Sequence, residues 1–257
     1  MTSLGDICAG LERPPIGAWI KLEGEESCEI VARSGFDFLV IDLEHSQLRA
    51  ESVYRLIATA SLAQVATFVR NPDLNRVAYQ KLLDAGAQGI LAPQLENFFD
   101  VQAGLSFCLY PPSGIRGFST TTRAGEWGGR SRKDHIERSN REVAFIPQLE
   151  SRIALDLLSE IVSLDGLDAV FIGMADLSVS LGVAPDDPEL LLLVDRAISV
   201  CHLNNVLVGT AISNVRSVRD WALDGFDFLM VGDDASMLAA SARNLILQSL
   251  SSLKDLS

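Results

Sequence analysis

The stretch Phe38–Ser46, FLVIDLEHS, runs an apolar segment straight into Asp42, Glu44 and His45. Ionisable groups at the end of an apolar run are costly to bury unless they are paired. A histidine among carboxylates can move a proton near neutral pH, so His45 is the general-base candidate. The other two histidines are placed less well: His135 falls in an irregular segment and His202 in a helical run. Other apolar runs end the same way. ATFVR closes on Arg70, GILAPQ on Gln94, VAFIPQLE on Glu150 and AVFIGMAD on Asp176. Two carboxylates held close repel, and one then tends to keep its proton unless a cation lies between them. Glu150 and Asp176 form an oxygen-rich pair that suits Mg²⁺ or Mn²⁺. The plainer reading is two solvated loop carboxylates. For Arg70 the residues leave two uses open: an ion pair with Asp42, or a grip on a substrate carboxylate or oxyanion.

These groups need a scaffold that brings strand ends together. Eight β-rich runs recur along the chain: IGAWI, FLVID, ATFVR, GILAPQ, VAFIPQL, AVFIG, VLVGTAI and FDFLMVG. Amphipathic stretches such as ESVYRLIATASLA lie between most of them. Strand–helix alternation with buried strands predicts a parallel sheet covered by helices. Eight units in 257 residues predict a single-domain (β/α)8 barrel spanning 1–257, with its working face at the C-terminal ends of the strands. A doubly wound sheet is the alternative, but no G-x-G-x-x-G or Walker motif follows an early strand. Glycines 35, 86 and 225 end helices before the next strand. Residues 109–142 break the rhythm and carry six arginines and Lys133. The pair Asp233–Asp234 argues against a phosphate site after strand eight and reads as a cap for the last helix.

The net charge of −13 disfavours nucleic acid and anionic membranes as partners. No run of 18 apolar residues occurs, and the first ten residues lack the pattern of a secretory signal. The four cysteines are widely spaced, as expected for reduced thiols in a cytoplasmic protein.

The motifs IDLEHS, VRNP, LDAGAQGILAPQLEN, YPPSGIRG, RAGEW, PQLES and FIGMADLSVSLG cover nearly the whole chain. Together they resemble the HpcH/HpaI aldolases, metal-dependent class II pyruvate aldolases. The resemblance implies a barrel of the phosphoenolpyruvate/pyruvate type. It also implies a reaction that forms or cleaves a carbon–carbon bond between pyruvate, or another 2-oxo acid, and an aldehyde through a metal-stabilised enolate. By motif, Glu150 and Asp176 match the ligands of a divalent metal (Mg²⁺, Mn²⁺ or Co²⁺). Arg70 matches the arginine at the enolate oxygen, and His45 with Asp42 the catalytic pair. Asp84 matches an aspartate lent to a neighbouring subunit. Trp19, Gln148, Phe171, Gly173, Ala175 and Arg123 match substrate-binding positions. A homo-oligomer, hexameric or dimer-based, is implied, with a C-terminal helix from about 235 to 250 packing on a neighbour. Met174 stands where the family commonly has proline, and Thr210 and Ala211 are smaller than usual. Two other readings stand beside this one. One is a different enolate reaction, a 2-oxo-acid decarboxylase or CoA-thioester lyase; the other is a non-catalytic binding protein on the same barrel.

Overall fold

The computed structural model describes residues 3–212 and 218–254. Its eight strands are β1 (Ile16–Ile20), β2 (Phe38–Asp42), β3 (Ala66–Arg70), β4 (Gly89–Ala92), β5 (Ala144–Leu149), β6 (Ala169–Ile172), β7 (Leu207–Ala211) and β8 (Phe228–Asp233). They are the eight runs read from the sequence. They pair in chain order, all parallel, and β8 closes on β1. The helices are α1 (Leu4–Ala9), α2 (Glu25–Ala32), α3 (Ala50–Leu62), α4 (Arg76–Asp84), α5 (Phe98–Cys108), α6 (Arg132–Glu142), α7 (Arg152–Asp156), α8 (Leu158–Ile161), α9 (Met174–Leu181), α10 (Pro188–Leu203), α11 (Val218–Leu223) and α12 (Asp234–Lys254). Among the described residues, no helix is long and apolar enough to cross a membrane.

The period of two along each strand divides the core. One set points outward against the helices, including Leu39, Ile41, Val69 and Ile90. The other fills the barrel: Phe38, Val40, Phe68, Leu91, Ile146, Phe171, Phe228 and Met230. Three rings meet edge-on there, with Phe38–Phe68 centroids at 5.9 Å and Phe38–Phe228 at 6.2 Å. Glycines make the space. A Cβ on Gly17 would lie 2.3 Å from the Phe38 ring, and one on Gly209 would lie 2.1 Å from the Phe228 ring. A larger residue at either position would push an aromatic out of the barrel.

Continuing the same alternation upward places polar groups in the mouth. Phe38, Val40 and Asp42 share the inner face of β2, and Phe68 and Arg70 share that of β3. The β2–β3 register sets Asp42 directly beside Arg70. The hydrophobic filling ends one layer below this pair.

Two features differ from expectation. The last helix is longer than the expected 235–250, and apolar Leu245, Ile246, Leu247, Leu250 and Leu253 are exposed along it. The two aspartates at its start do different jobs. Asp233 caps the helix, accepting from the Ser236 N–H at 2.8 Å. Asp234 is buried and reaches across to β1, accepting from the backbone N–H of Lys21 at 2.8 Å and of Leu22 at 3.2 Å.

Candidate active site

The centre of the mouth is a double grip. Arg70 Nε donates to Asp42 Oδ1 at 2.8 Å, and Arg70 Nη2 donates to Asp42 Oδ2 at 2.7 Å. Asp42 is fully buried and Arg70 nearly so. The guanidinium carbon lies 4.1 Å from the centroid of the Trp19 ring, a cation–π stack that fixes its plane. Burial alone would raise the Asp42 carboxyl. The hydrogen bonds and charge of Arg70, with the N–H groups of His45 and Glu44, outweigh it and hold Asp42 below the usual carboxylate range. Of the two uses left open for Arg70, the ion pair with Asp42 is present.

Glu44 links this pair to the opposite wall. Its Oε2 lies 3.1 Å from Arg70 Nη1 and 3.7 Å from His45 Nε2. Its Oε1 accepts from Gln94 Nε2 at 2.9 Å. Gln94 has a left-handed backbone, φ 59°, uncommon outside glycine. That turn aims its own N–H at Glu150 Oε1, 2.7 Å away. The other oxygen of Glu150 accepts from Gln148 Nε2. His45 stands at the rim, its side chain 58% exposed.

Glu150 follows β5, and Asp176 lies in the first turn of α9, just beyond β6. The β5–β6 pairing makes their strands neighbours. Burial raises the Glu150 carboxyl above its ordinary range, and the charges of Glu44 and Asp176 push the same way against the hydrogen bonds from Gln148 and Gln94. A cation at this point would relieve that conflict. Gly173 leaves the room: a Cβ there would lie 3.1 Å from Glu150 Cβ and 3.3 Å from Glu150 Oε2. Beside it, Gln148 Oε1 is buried without a hydrogen-bond partner among the described residues. No group of three or more His, Cys, Asp or Glu converges on one point among those residues. Glu150 and Asp176 offer carboxylate oxygens only, a donor type that suits a hard divalent cation.

The mouth thus gathers Trp19, Asp42, His45, Arg70, Gln148, Glu150, Phe171, Gly173, Ala175 and Asp176 at the C-terminal ends of β1, β2, β3, β5 and β6. The chain does not bring Asp84 or Arg123 there. Asp84 ends α4, on the return toward the foot of the barrel, and Arg116 Nη2 donates to its Oδ1 at 2.7 Å. Arg116 is buried and stacks on Tyr110, 4.7 Å from that ring's centroid. Tyr110 in turn meets His135 Nε2 at 3.1 Å. Arg123 lies against Gly86, also at the foot. Three further arginines of residues 109–142 pair with carboxylates, Arg138 with Glu142 at 2.6 Å, Arg141 with Glu142 at 3.2 Å and Arg130 with Glu126, and Arg132 stacks on Phe118 at 5.3 Å.

Three residues of the mouth escaped the reading of the sequence. Glu44 was visible in the opening stretch, yet its bridging place was not. Gln94 was seen only as a strand end. Lys21 follows β1 in the chain, and its Nζ stands 3.7 Å from Asp42 Oδ2.

A closed (β/α)8 barrel with a polar, acid-rich mouth at the strand ends has the layout of an enzyme. The comparisons with known proteins agree. The family model of HpcH/HpaI aldolase/citrate lyase matches residues 15–251. The 4-hydroxy-2-oxo-heptane-1,7-dioate aldolase of Escherichia coli is 33% identical over 236 residues, covering 91% of this chain and 89% of its own. A HpcH/HpaI aldolase/citrate lyase family protein from Burkholderia cenocepacia J2315 superposes with a TM-score of 0.88 at 27% identity, covering 97% of this chain and 99% of the other. The HpcH/HpaI aldolase of Desulfitobacterium hafniense DCB-2 shares the fold, with a TM-score of 0.89 at 23% identity and 96% coverage of both chains. The chain belongs to the HpcH/HpaI aldolase/citrate lyase family, and it is a lyase acting on carbon–carbon bonds.

Proposed function

We propose that the protein is a pyruvate aldolase that cleaves 4-hydroxy-2-oxo acids, or forms them from a 2-oxo acid and an aldehyde. The observation that carries this reading is the pairing, in one mouth, of a clamped arginine with a carboxylate that burial and like charges have made reluctant to ionise. The E. coli relative is named for a 4-hydroxy-2-oxo acid, which supports the substrate class.

Glu150 and Asp176 would hold the cation, Mg²⁺, Mn²⁺ or Co²⁺, which when bound supplies Lewis acidity toward the oxygens of the 2-oxo acid. Asp42 uses two of the five N–H groups of Arg70 and fixes its plane, and Glu44 Oε2 faces Nη1 at 3.1 Å; the donors left over would meet the enolate oxygen. In cleavage, His45 takes the proton of the C4 hydroxyl, directly or through water. The C3–C4 bond breaks, its electron pair stays with the three-carbon fragment as the enolate, and the aldehyde leaves. The enolate then takes a proton at C3 to become pyruvate. Trp19 and Phe171, edge-on at 6.0 Å, wall the pocket, while Gln148, Gly173 and Ala175 border the 2-oxo acid.

The same reading makes the active unit a homo-oligomer in the cytoplasm. Asp84 and Arg123 would serve a neighbour's mouth, and the exposed apolar residues of α12 would pack on another subunit. Other enolate chemistry on a CoA thioester is less well supported, because four of the six arginines of residues 109–142, Arg116, Arg130, Arg138 and Arg141, are paired with carboxylates. The test is release of pyruvate from a 4-hydroxy-2-oxo acid, with and without chelator. Chelation should abolish it and Mg²⁺, Mn²⁺ or Co²⁺ should restore it, while Glu150→Gln should weaken Mn²⁺ binding in a folded protein. Full activity in metal-free enzyme would sink the reading.

A further inference from the structure

Beside the mouth lies a hollow of about 470 Å³, lined by Lys21, Glu23, Glu44, His45 and Leu48 among others. Its two carboxylates are already engaged. Glu44 faces Arg70 and Gln94. Glu23 accepts from Ser52 and stands 3.7 Å from Arg55. Lys21 differs. Its ammonium has three donors, and among the described residues its one acidic neighbour is Asp42, at a long 3.7 Å. Asp42 itself is taken up by two short hydrogen bonds from Arg70. Lys21 is also held in place. The buried Asp234 accepts from the N–H groups of Lys21 and Leu22 and, at 3.1 Å, from the hydroxyl of Ser27. A buried carboxylate bonded to this turn fixes where the stem of Lys21 begins. The side chain is 27% exposed, so it borders the hollow without being free in solvent.

We infer that Lys21 selects the aldehyde: the hollow between Lys21 and His45 takes an acceptor that carries a carboxylate besides its carbonyl group. The carboxylate pairs with the ammonium while the carbonyl end reaches His45. This inference rests on the aldolase reading and adds to it the residue that chooses the second substrate.

The experiment compares succinic semialdehyde with butanal, which has the same chain length and no carboxylate, as acceptors for pyruvate. Wild type should prefer the acid, and added salt should shrink that preference, because the contact is partly exposed. In Lys21→Met the preference should fall about tenfold or more, carried by the KM for the aldehyde, whereas Lys21→Arg should retain most of it. An unchanged preference in a folded Lys21→Met protein, or a wild type that favours neither aldehyde, overturns the inference. Should Lys21→Met not fold, a salt-independent preference in wild type overturns it equally. Exchange of pyruvate methyl protons by wild type without any aldehyde separates the two claims. Exchange without acceptor preference removes the role of Lys21 alone, while absence of both exchange and cleavage removes the aldolase reading and this inference with it.

Discussion

Arg70 and Asp42 sit at the same level on neighbouring strands and are joined by two hydrogen bonds of 2.7 and 2.8 Å in a fully buried setting. A guanidinium can match a carboxylate at two points in one plane, and a lysine cannot. The geometry is set from below: parallel pairing of β2 with β3 fixes the register, and the aromatic layer beneath fixes the height. The arginine is thereby held in one orientation, so it would not have to reorient for charge developing beside it.

Arg70→Ala should lower kcat for pyruvate release by roughly a hundred- to a thousand-fold, the usual loss when one oxyanion donor is removed. A kcat within twofold of wild type would show that the arginine is only a strut.

Asp42→Asn tests the pair as structure. Removing one partner of a buried ion pair costs about 3–5 kcal/mol, because the other charge is left without compensation. The Asp42 carboxyl is held below its ordinary range, so its contribution is present above that range and lost as pH falls through the lowered value. Urea denaturation should therefore show a wide stability gap between wild type and variant at neutral pH, narrowing only in strong acid. A gap that closes between pH 7 and 5 would contradict the assignment.

Gly173→Ala should disturb the carboxylate end of the mouth without unfolding the barrel. The added methyl would press on Glu150 at 3.1–3.3 Å and on Gln148 Nε2 at 3.2 Å, both of which would border the proposed cation. Divalent-ion affinity, read by calorimetry with Mn²⁺, should fall together with activity, while the far-ultraviolet dichroism stays the same. Wild-type affinity would mean that Glu150 does not need that space.

Asp84 and His45 lie at opposite ends of their own barrel, so a shared site requires two subunits. Asp84→Ala and His45→Ala proteins should each be nearly inactive. Mixed and reassembled, they should recover part of the activity, because some mouths then hold both groups intact. No recovery from a mixture proven to contain hybrid oligomers would remove Asp84 from the site.

Much of this could be read from the sequence because strands alternate. Once FLVID and ATFVR are strands of a barrel, Asp42 and Arg70 must share the face of Phe38 and Phe68. The glycines that turn helices into strands were legible too: Gly35 and Gly86 have φ of 98° and 102°, where only glycine is at ease. What local pattern could not supply was contact between distant loops. Asp234 looked like a helix cap because Asp often is one, yet its carboxylate binds a turn 213 positions away in the chain. That contact places Lys21, so Lys21 could not be valued before the barrel closed. Gln94 was hidden for a related reason. Its role depends on a left-handed backbone that no single residue type announces. The foot cluster of Tyr110, His135, Arg116 and Asp84 joins an irregular segment to two helices, and no periodicity predicts such a meeting.

Arg70 and a divalent cation held by Glu150 and Asp176 should together make the methyl group of pyruvate acidic. Exchange of those protons in D₂O, followed by proton NMR with no aldehyde present, tests this most directly. Metal-loaded wild type should exchange them, chelated wild type should not, and metal-loaded Arg70→Ala should exchange them at least a hundred-fold more slowly. Equal exchange in all three samples would contradict the claim.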